Sequence, residues 1–267
     1  MPKKYDDSIL EQAYELIAYK GYSANKASKE LNIDNGTMRK RLKEKYGQIF
    51  LPDGKKKINS SFFNEINTEE KAYWLGFLTA DGYVSNKNDI ELALKESDKE
   101  HIKAFKEAID SQHKISKKKA VLQGKEFYSY RINIRDAEIS NDLKKYGLNN
   151  NKSYNAFIPI EKIPKDLIRH YIRGIFDGDG SIYSIPNGYN ISIISGSGQM
   201  SKDLIYITNK HLGFKLKPKM SRNLYEVRLF DQFKVKTFLD WLYKDCSICL
   251  HRKHSIYCRF KSKLQKA

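Results

Sequence analysis

Two aspartates, each at the end of a similar apolar segment, are the residues of this 267-residue chain best suited to chemistry. Asp81 ends the segment YWLGFLTAD, and Asp179 ends the segment YIRGIFDGD. Two carboxylates that lie close together repel each other unless a positive charge lies between them. Because Mg²⁺ and Mn²⁺ prefer oxygen ligands, the sequence predicts a divalent-metal site at these carboxylates if the two segments meet. The carbonyl oxygens of Ala80 and Gly178, in the last helical turns, complete the expected ligand set.

Small residues in both segments predict how the aspartates come together. Gly76 and Ala80 are four residues apart in the first segment, and Gly174 and Gly178 are four apart in the second. On a helix this spacing places both small residues on one face, where a second helix backbone can approach closely. Packing through these faces brings the C-terminal ends of the helices together. The alternative is that each aspartate only begins a turn after a buried helix.

A third acid in these segments, Asp177, is predicted to be structural. Its counterpart in the first segment is Thr79, which carries no charge. An essential pair of acids should occur in both segments, and this one does not.

The same order of predicted elements follows each segment. Each half reads as a helix, a hairpin, a second helix, a second hairpin and a last helix. After the first segment, the later elements are predicted over 83–85, 89–95, 98–110, 130–136 and 137–146. After the second, they are predicted over 181–185, 190–195, 199–212, 225–231 and 232–243, with a turn at 186–188. This repetition predicts an α+β fold with two pseudo-symmetric halves, residues 68–160 and 161–267.

The first fifty residues have the pattern of a small DNA-binding domain. Apolar residues at helical spacing predict three helices, over 8–20, 23–31 and about 34–46. Asn32 falls where the turn of a helix-turn-helix needs a residue that tolerates positive φ. We predict this domain over 1–49 and a lysine-rich linker over 50–67. The third helix presents the candidate DNA-contacting residues Asn35, Thr37, Arg39, Lys40 and Lys43. An ordinary three-helix unit with a basic face is the alternative.

The paired segments and the elements that follow them resemble the LAGLIDADG motif and repeat of homing endonucleases over about residues 69–262. The resemblance implies a single-chain, monomeric enzyme that cuts both strands of double-stranded DNA at a long, imperfectly palindromic site. It implies that each half supplies one aspartate and that Mg²⁺ or Mn²⁺ assists hydrolysis of one phosphodiester in each strand. It also implies a basic catalytic residue beyond the last helix of each half, which we assign to Lys152 and Lys253.

Polar residues on the predicted hairpins form candidate DNA-contacting faces. Arg131, Asn133 and Arg135 share one side of a strand, with apolar residues between them. In the second half, the corresponding candidates are Lys215, Lys217, Lys219 and Arg228. Because an antiparallel sheet can bury one face and expose the other, such faces can lie along a DNA groove. The alternative is a solvated sheet face.

All three cysteines of the chain lie in one short segment near its end. Cys246, Cys249, His254 and Cys258 have the spacing C-x₂-C-x₄-H-x₃-C, which is close to that of a zinc knuckle. However, the knuckle's glycine is missing, Lys253 lies inside the segment, and the equivalent stretch of the first half has no Cys or His. The sequence therefore favours small buried cysteines and a basic strand over structural zinc.

Charge and composition limit the partners of the chain. With 49 Lys and Arg against 32 Asp and Glu, the net charge is +17, which favours a nucleic-acid partner. The longest apolar run has about nine residues, whereas a membrane span needs about 20. Three cysteines and no signal peptide predict a reducing, cytoplasmic environment. Two other functions remain open: a maturase that binds intron RNA, and a transcriptional regulator built on an inactive endonuclease scaffold.

Overall fold

The chain divides into two compact units, residues 1–57 and 58–267, which are described separately. The structure, a computed structural model, describes residues 6–20, 22–47, 57–150, 152–186, 188–221 and 223–264. It has the mixed α+β architecture and the two repeated halves that the sequence predicts. Asn187, in the predicted turn at 186–188, lies outside the described residues.

The first unit is a three-helix domain. Its helices are α1 (Asp7–Ala18), α2 (Ala24–Glu30) and α3 (Asn35–Tyr46). Asn32, between α2 and α3, has a φ of 51°, as the helix-turn-helix pattern predicts. The small core consists of the buried residues Leu10, Ala13, Ile17, Ala24, Ala27, Ile33, Met38 and Leu42. Tyr14 and Tyr46 stack with ring centroids 4.3 Å apart and so join α1 to α3.

The second unit contains two copies of one chain path. The first copy comprises α4 (Glu69–Asp81), β1 (Gly82–Val84), β2 (Asp89–Lys95), α5 (Lys99–Ala108), β3 (Ile115–Leu122), β4 (Lys125–Arg135) and α6 (Ala137–Lys145). A short helix, α7 (Lys152–Asn155), follows it. The second copy comprises α8 (Ile168–Asp179), β5 (Gly180–Ile185), β6 (Gly188–Ser195), α9 (Gly198–Leu212), β7 (Lys219–Ser221), β8 (Leu224–Leu229) and α10 (Gln232–Tyr243). The last helix is α11 (His251–Leu264).

Each copy forms one antiparallel four-stranded sheet with the same strand order. The orders are β1-β2-β4-β3 and β5-β6-β8-β7. Ile90 pairs with Ile134 in the first sheet, and Ile191 pairs with Leu229 in the second; all four residues are buried. The helix after each first hairpin packs on the same two central strands, α5 on β2 and β4, and α9 on β6 and β8. The opposite face of each sheet carries the polar residues.

The segment before α4 belongs to the second unit rather than to a linker. The predicted linker spanned 50–67, but Phe62, Phe63 and Ile66 are buried in the core of the second unit. The Ser60 hydroxyl donates a hydrogen bond of 2.8 Å to Asp136 Oδ2. The prediction was therefore wrong for these residues. The segment was interpreted as a linker from its lysines and polar residues, although it also contains three apolar side chains that anchor it to the core. Residues 50–56 lie outside the described part of the chain.

The basic strand predicted around Lys215, Lys217 and Lys219 is shorter than expected. Only Lys219 lies in β7, and the other two lysines lie in irregular chain before it. The Asn209 side chain explains this difference, because its Oδ1 accepts from the Leu216 N–H at 2.8 Å and its Nδ2 donates to the Leu216 carbonyl at 3.3 Å. These bonds occupy the backbone groups that a strand would need for pairing.

The described helices do not resemble membrane spans. None of them combines the length and the apolar character that crossing a bilayer requires.

Candidate functional site

Helices α4 and α8 form the centre of the second unit and touch at the level of their backbones. A Cβ atom added at Gly76 would collide with the carbonyl oxygen of Tyr171, and one added at Gly174 would collide with the carbonyl oxygen of Tyr73. Every residue of α4 from 72 to 79 is buried. The close approach predicted from the small residues is thus present, and only glycine permits it at these positions.

The same contact brings the predicted acidic residues to one place. A Cβ atom added at Gly178 would lie 3.4 Å from Asp81 Oδ2 and would collide with the Cβ of Ala80. Asp81 therefore lies against the last turn of α8, which ends at Asp179. Both aspartates are exposed, although the helices that carry them are buried. The negative ends of two helix dipoles add to the negative charge here.

The donor set at this point suits a divalent metal ion. Asp81 and Asp179 supply carboxylate oxygens, and the last turns of the two helices, at Ala80 and Gly178, supply backbone carbonyls beside them. Hard oxygen donors with two negative charges are typical of Mg²⁺ or Mn²⁺ sites.

Lys253 lies behind the acidic pair and is almost completely buried. Its Nζ donates to the carbonyls of Phe176 at 2.5 Å and Asp177 at 2.7 Å, and the Gly178 carbonyl lies 3.5 Å away. Burial lowers the pKa of Lys253 to about 8, while the nearby Asp177 acts in the opposite direction. The ammonium therefore caps the end of α8 immediately before Asp179.

Asp177 is buried and structural, as its missing counterpart suggests. It accepts hydrogen bonds from the hydroxyls of Tyr73 at 2.8 Å and Tyr243 at 2.6 Å, and from the Leu250 N–H at 2.7 Å. Burial raises the pKa of this carboxyl group, although its donors oppose the effect. A carboxylate with three donors and no solvent contact holds surrounding elements in place.

Sequence reasoning missed a second buried charge, Arg173. Its guanidinium is fully buried and donates to Glu69 Oε1 at 2.6 Å and to the Ile248 carbonyl at 2.9 Å. Glu69 also accepts from the Ser247 N–H at 2.9 Å. This ion pair joins the start of α4 to α8 and to the loop after α10. The sequence signal that could have revealed it is an arginine within a largely apolar helix, together with Glu69 at the start of the helix that packs against it.

Lys152, the predicted basic residue of the first half, is at the start of α7. Its side chain lies outside the described residues, so its assigned role stays a prediction.

The predicted DNA-contacting residues of the first sheet already have acidic neighbours. Arg135 donates to both carboxylate oxygens of Asp89, at 2.7 and 3.1 Å, and Arg131 donates to Glu91 at 3.2 Å. Asn133 is exposed between the two arginines. The acids lie on the adjacent strand β2, so the face is mixed in charge rather than purely basic.

The second sheet and the first unit show similar local partners. Arg228 forms an ion pair with Glu226 on its own strand. In α3, the Thr37 hydroxyl donates to the capping residue Asp34 at 2.8 Å, and Arg39 donates to Asn35 at 3.2 Å. Arg39, Lys40 and Lys43 are exposed.

The cysteine segment forms a cluster and a helix instead of the expected basic strand. Ligand atoms of Cys246, Cys249 and His254 all lie within 4.8 Å of one another. The first two are half-buried, whereas Cys258 is exposed. A hydrogen bond between the two half-buried thiols lowers the pKa of Cys246 to about 7. His254 and Cys258 both belong to α11, a long helix that packs against α10. This helix occupies the place of the predicted strand.

Comparison with known proteins assigns the second unit to a family. The family model described as the WhiA LAGLIDADG-like domain matches residues 70–154 and 168–252. These two ranges cover more than half of the chain and correspond to its two halves. The chain belongs to this LAGLIDADG family.

The solved structure of a homing endonuclease shows the same fold at low sequence identity. The homing endonuclease I-WcaI, bound to its DNA recognition sequence, is 12% identical; the match covers 67% of this chain and 82% of that one, with a TM-score of 0.53. Full-length DUF199/WhiA from Thermatoga maritima is 15% identical over 77% of this chain and 64% of that one, with a TM-score of 0.49.

A curated relative shares part of its sequence with this chain. The replication factor C small subunit of Methanocaldococcus jannaschii is 28% identical over 184 residues, which are 67% of this chain and 10% of that protein. The match thus spans about a tenth of the relative's length.

Proposed function

We propose that this protein is a site-specific DNA endonuclease that makes double-strand breaks by metal-dependent phosphodiester hydrolysis. The observation that carries the proposal is the meeting of Asp81 with the last turn of α8, which ends at Asp179. Two exposed carboxylates at the junction of two similar halves suit a substrate with two similar strands. The fold is also that of I-WcaI, which binds its DNA recognition sequence as a homing endonuclease.

Asp81 and Asp179 would hold Mg²⁺ or Mn²⁺, together with the carbonyls of Ala80 and Gly178. When bound, such an ion supplies positive charge to the scissile phosphate and lowers the pKa of a bound water. Each aspartate would serve one DNA strand.

The two lysines would have different roles. Lys253 is bound to backbone carbonyls of α8, so it would act mainly by positioning Asp179. Lys152 remains the proposed basic catalytic residue for the first half. This difference refines the symmetric assignment made from the sequence.

Double-stranded DNA is the proposed partner, bound by the chain as a monomer. Residues Arg131, Asn133, Arg135, Lys219 and Arg228 would contact DNA from the two sheets. Lys215 and Lys217 would add charge beside the second sheet. In the first unit, Arg39, Lys40 and Lys43 are exposed on the helix that would enter a groove, while Asn35 and Thr37 hold its N-terminal turn.

The test is selection of cleaved sites from a randomised duplex library in Mg²⁺, with native chain, Asp81→Asn and Asp179→Asn. We expect defined double-strand cuts by the native chain, and nicking or no cutting by each variant. Asp166→Asn is a matched control, because this exposed acid lies near the opposite end of the helix that carries Asp179. It should cut like the native chain.

A DNA-binding protein without nuclease activity is the second candidate. The matching family model is described as a WhiA LAGLIDADG-like domain rather than as a nuclease, which favours this second candidate. No cutting in Mg²⁺ or Mn²⁺, with tight duplex binding that neither Asp→Asn change affects, would overturn the enzyme and support a transcriptional regulator. RNA that outcompetes duplex DNA for the native chain would instead support an intron maturase.

A further inference from the structure

The loop between α10 and α11 brings two cysteines against a histidine of the next helix. Cys246 and Cys249 lie in the loop, and His254 lies in the first turns of α11. Their ligand atoms are within 4.8 Å of one another. We propose that these three residues, completed by Cys258, form a structural zinc site.

The spacing of the four residues matches the way a zinc site is built. Two cysteines separated by two residues can bind one ion from a tight loop, and ligands four residues apart lie on one helical face. Cys258 Sγ lies 3.8 and 3.9 Å from the two ring nitrogens of His254. With Zn–S near 2.3 Å and Zn–N near 2.0 Å, tetrahedral ligands lie roughly 3.5–3.8 Å apart. A side-chain rotation of Cys258 toward the loop would therefore close the site.

Zinc would fix the conformation of this loop. Residues 244–250 have no helix or strand of their own, yet their backbone docks on both central helices. The Ser247 N–H binds Glu69, the Ile248 carbonyl binds Arg173, and the Leu250 N–H binds Asp177. A closed loop presents all three backbone groups in fixed positions. An open loop would have to lose its own conformational freedom to make the same bonds.

The site would also connect to the acidic pair. Lys253 is next to His254 in sequence, and its Nζ binds the last carbonyls of α8. An ion that fixes the first turn of α11 therefore fixes Lys253 behind Asp179. The zinc proposal does not depend on nuclease activity, because its test measures metal binding alone.

The experiment is titration of the full chain, reduced and freed of metal, with Co²⁺ as a spectroscopic probe, followed by Zn²⁺. We expect one Co²⁺ per chain, with near-ultraviolet thiolate charge-transfer absorption and tetrahedral ligand-field bands, and displacement by Zn²⁺. Cys246→Ser and Cys249→Ser should weaken binding by more than about 100-fold, since even outer-shell changes cost 10- to 100-fold. Cys258→Ser should lose about a third of the charge-transfer intensity, because three thiolates become two.

His251→Ala is the matched control, since His251 is an exposed histidine in the same helical turn. It should keep the native spectrum, whereas His254→Ala should not. Absence of thiolate charge transfer in the native chain would overturn the site, whatever the folding of the variants. An unchanged spectrum in Cys258→Ser would overturn the assignment of the fourth ligand.

Discussion

The two central helices follow the same path but differ in what they bury. At matching positions, α4 carries Leu75 and Thr79, while α8 carries Arg173 and Asp177; all four are buried. The Thr79 hydroxyl donates to the Leu75 carbonyl at 2.8 Å and lies 3.1 Å from the Tyr171 hydroxyl of α8, so its partners lie within the pair of central helices.

The charged residues of α8 instead bind the loop between α10 and α11. Arg173 donates to the Ile248 carbonyl, and Asp177 accepts from the Leu250 N–H. This loop leads into the helix that carries Lys253. Symmetry is therefore kept at the glycines where the two helices touch and is lost at the buried positions of α8 that precede Asp179.

The largest expected effect comes from removing the asymmetric charge. Asp177→Ala should lower the free energy of unfolding of the second unit by about 3–5 kcal/mol, because three buried hydrogen-bond donors lose their acceptor and Lys253 loses a nearby negative charge. Thr79→Val, at the matching position, should cost about 1 kcal/mol. Urea unfolding followed by tryptophan fluorescence measures both, since Trp74 and Trp241 lie in the second unit. An equal loss of unfolding free energy in the two variants would contradict the difference between α4 and α8.

The shared glycines should respond alike. Gly76→Ala and Gly174→Ala each place a methyl group against a backbone carbonyl that cannot move far. We expect each to destabilise the second unit by roughly 3 kcal/mol, at the upper end for overpacking. Gly36→Ala, in an exposed turn of α3 in the first unit, is the control and should leave the tryptophan transition unchanged. A large difference between Gly76→Ala and Gly174→Ala would show that the contact is not symmetric.

Each half contains a buried histidine with a lowered pKa, and acid should therefore reduce the stability of the second unit. Burial lowers the pKa of His101 to about 4 and that of His170 to about 4, with Arg173 adding to the effect on His170. The unfolded chain, with histidine pKa values near 6.5, binds these protons first. Stability is therefore full above pH 6.5 and falls as the pH drops toward 4, by up to about 1.4 kcal/mol per pH unit for His101.

His101→Gln tests this pH dependence, because glutamine can still bind the Tyr73 hydroxyl that lies 2.8 Å from the histidine Nε2. Its plot of unfolding free energy against pH should be flatter between pH 6.5 and 4. A curve parallel to that of the native chain would show that His101 does not titrate on unfolding.

The smallest effect is expected on the sheet faces. If Arg135 contacts a DNA phosphate, Arg135→Ala should reduce the slope of log affinity against log salt by about 0.9, and Arg228→Ala should do the same for the second half. Asp89→Asn should raise affinity several-fold at low salt, because it releases Arg135 from its ion pair. Binding isotherms at three salt concentrations measure these changes. If neither variant changed the slope of log affinity against log salt, these two arginines would not contact DNA phosphates.

The repeat, the element order and the meeting of Asp81 with α8 were predictable, because they follow from local patterns. Small residues four apart define which face of a helix packs closely, and alternating polar and apolar residues define which face of a strand is buried. The half-buried acids Asp89 and Glu91 are visible in the sequence, but their pairing with Arg135 and Arg131 depends on the strand register.

The errors of prediction arose from contacts between distant residues. Lys215 and Lys217 alternate like a strand, yet the Asn209 amide takes the backbone of Leu216. The buried role of Arg173 was missed, because one of its partners, the Ile248 carbonyl, lies in a loop 75 residues later in the chain. The proximity of Cys246 and Cys249 to His254 was also not predicted, because it depends on how the loop packs against α11.

The burial of α4 has a consequence for synthesis of the chain. Much of its apolar surface is covered by α8, which begins after residue 167. A ribosome adds about 5–20 residues per second, so roughly 5–20 s pass between the completion of the two helices. During that interval the nascent chain carries an apolar helix with one side open to solvent. The first half can finish folding only when the second emerges, and until then it needs protection from aggregation.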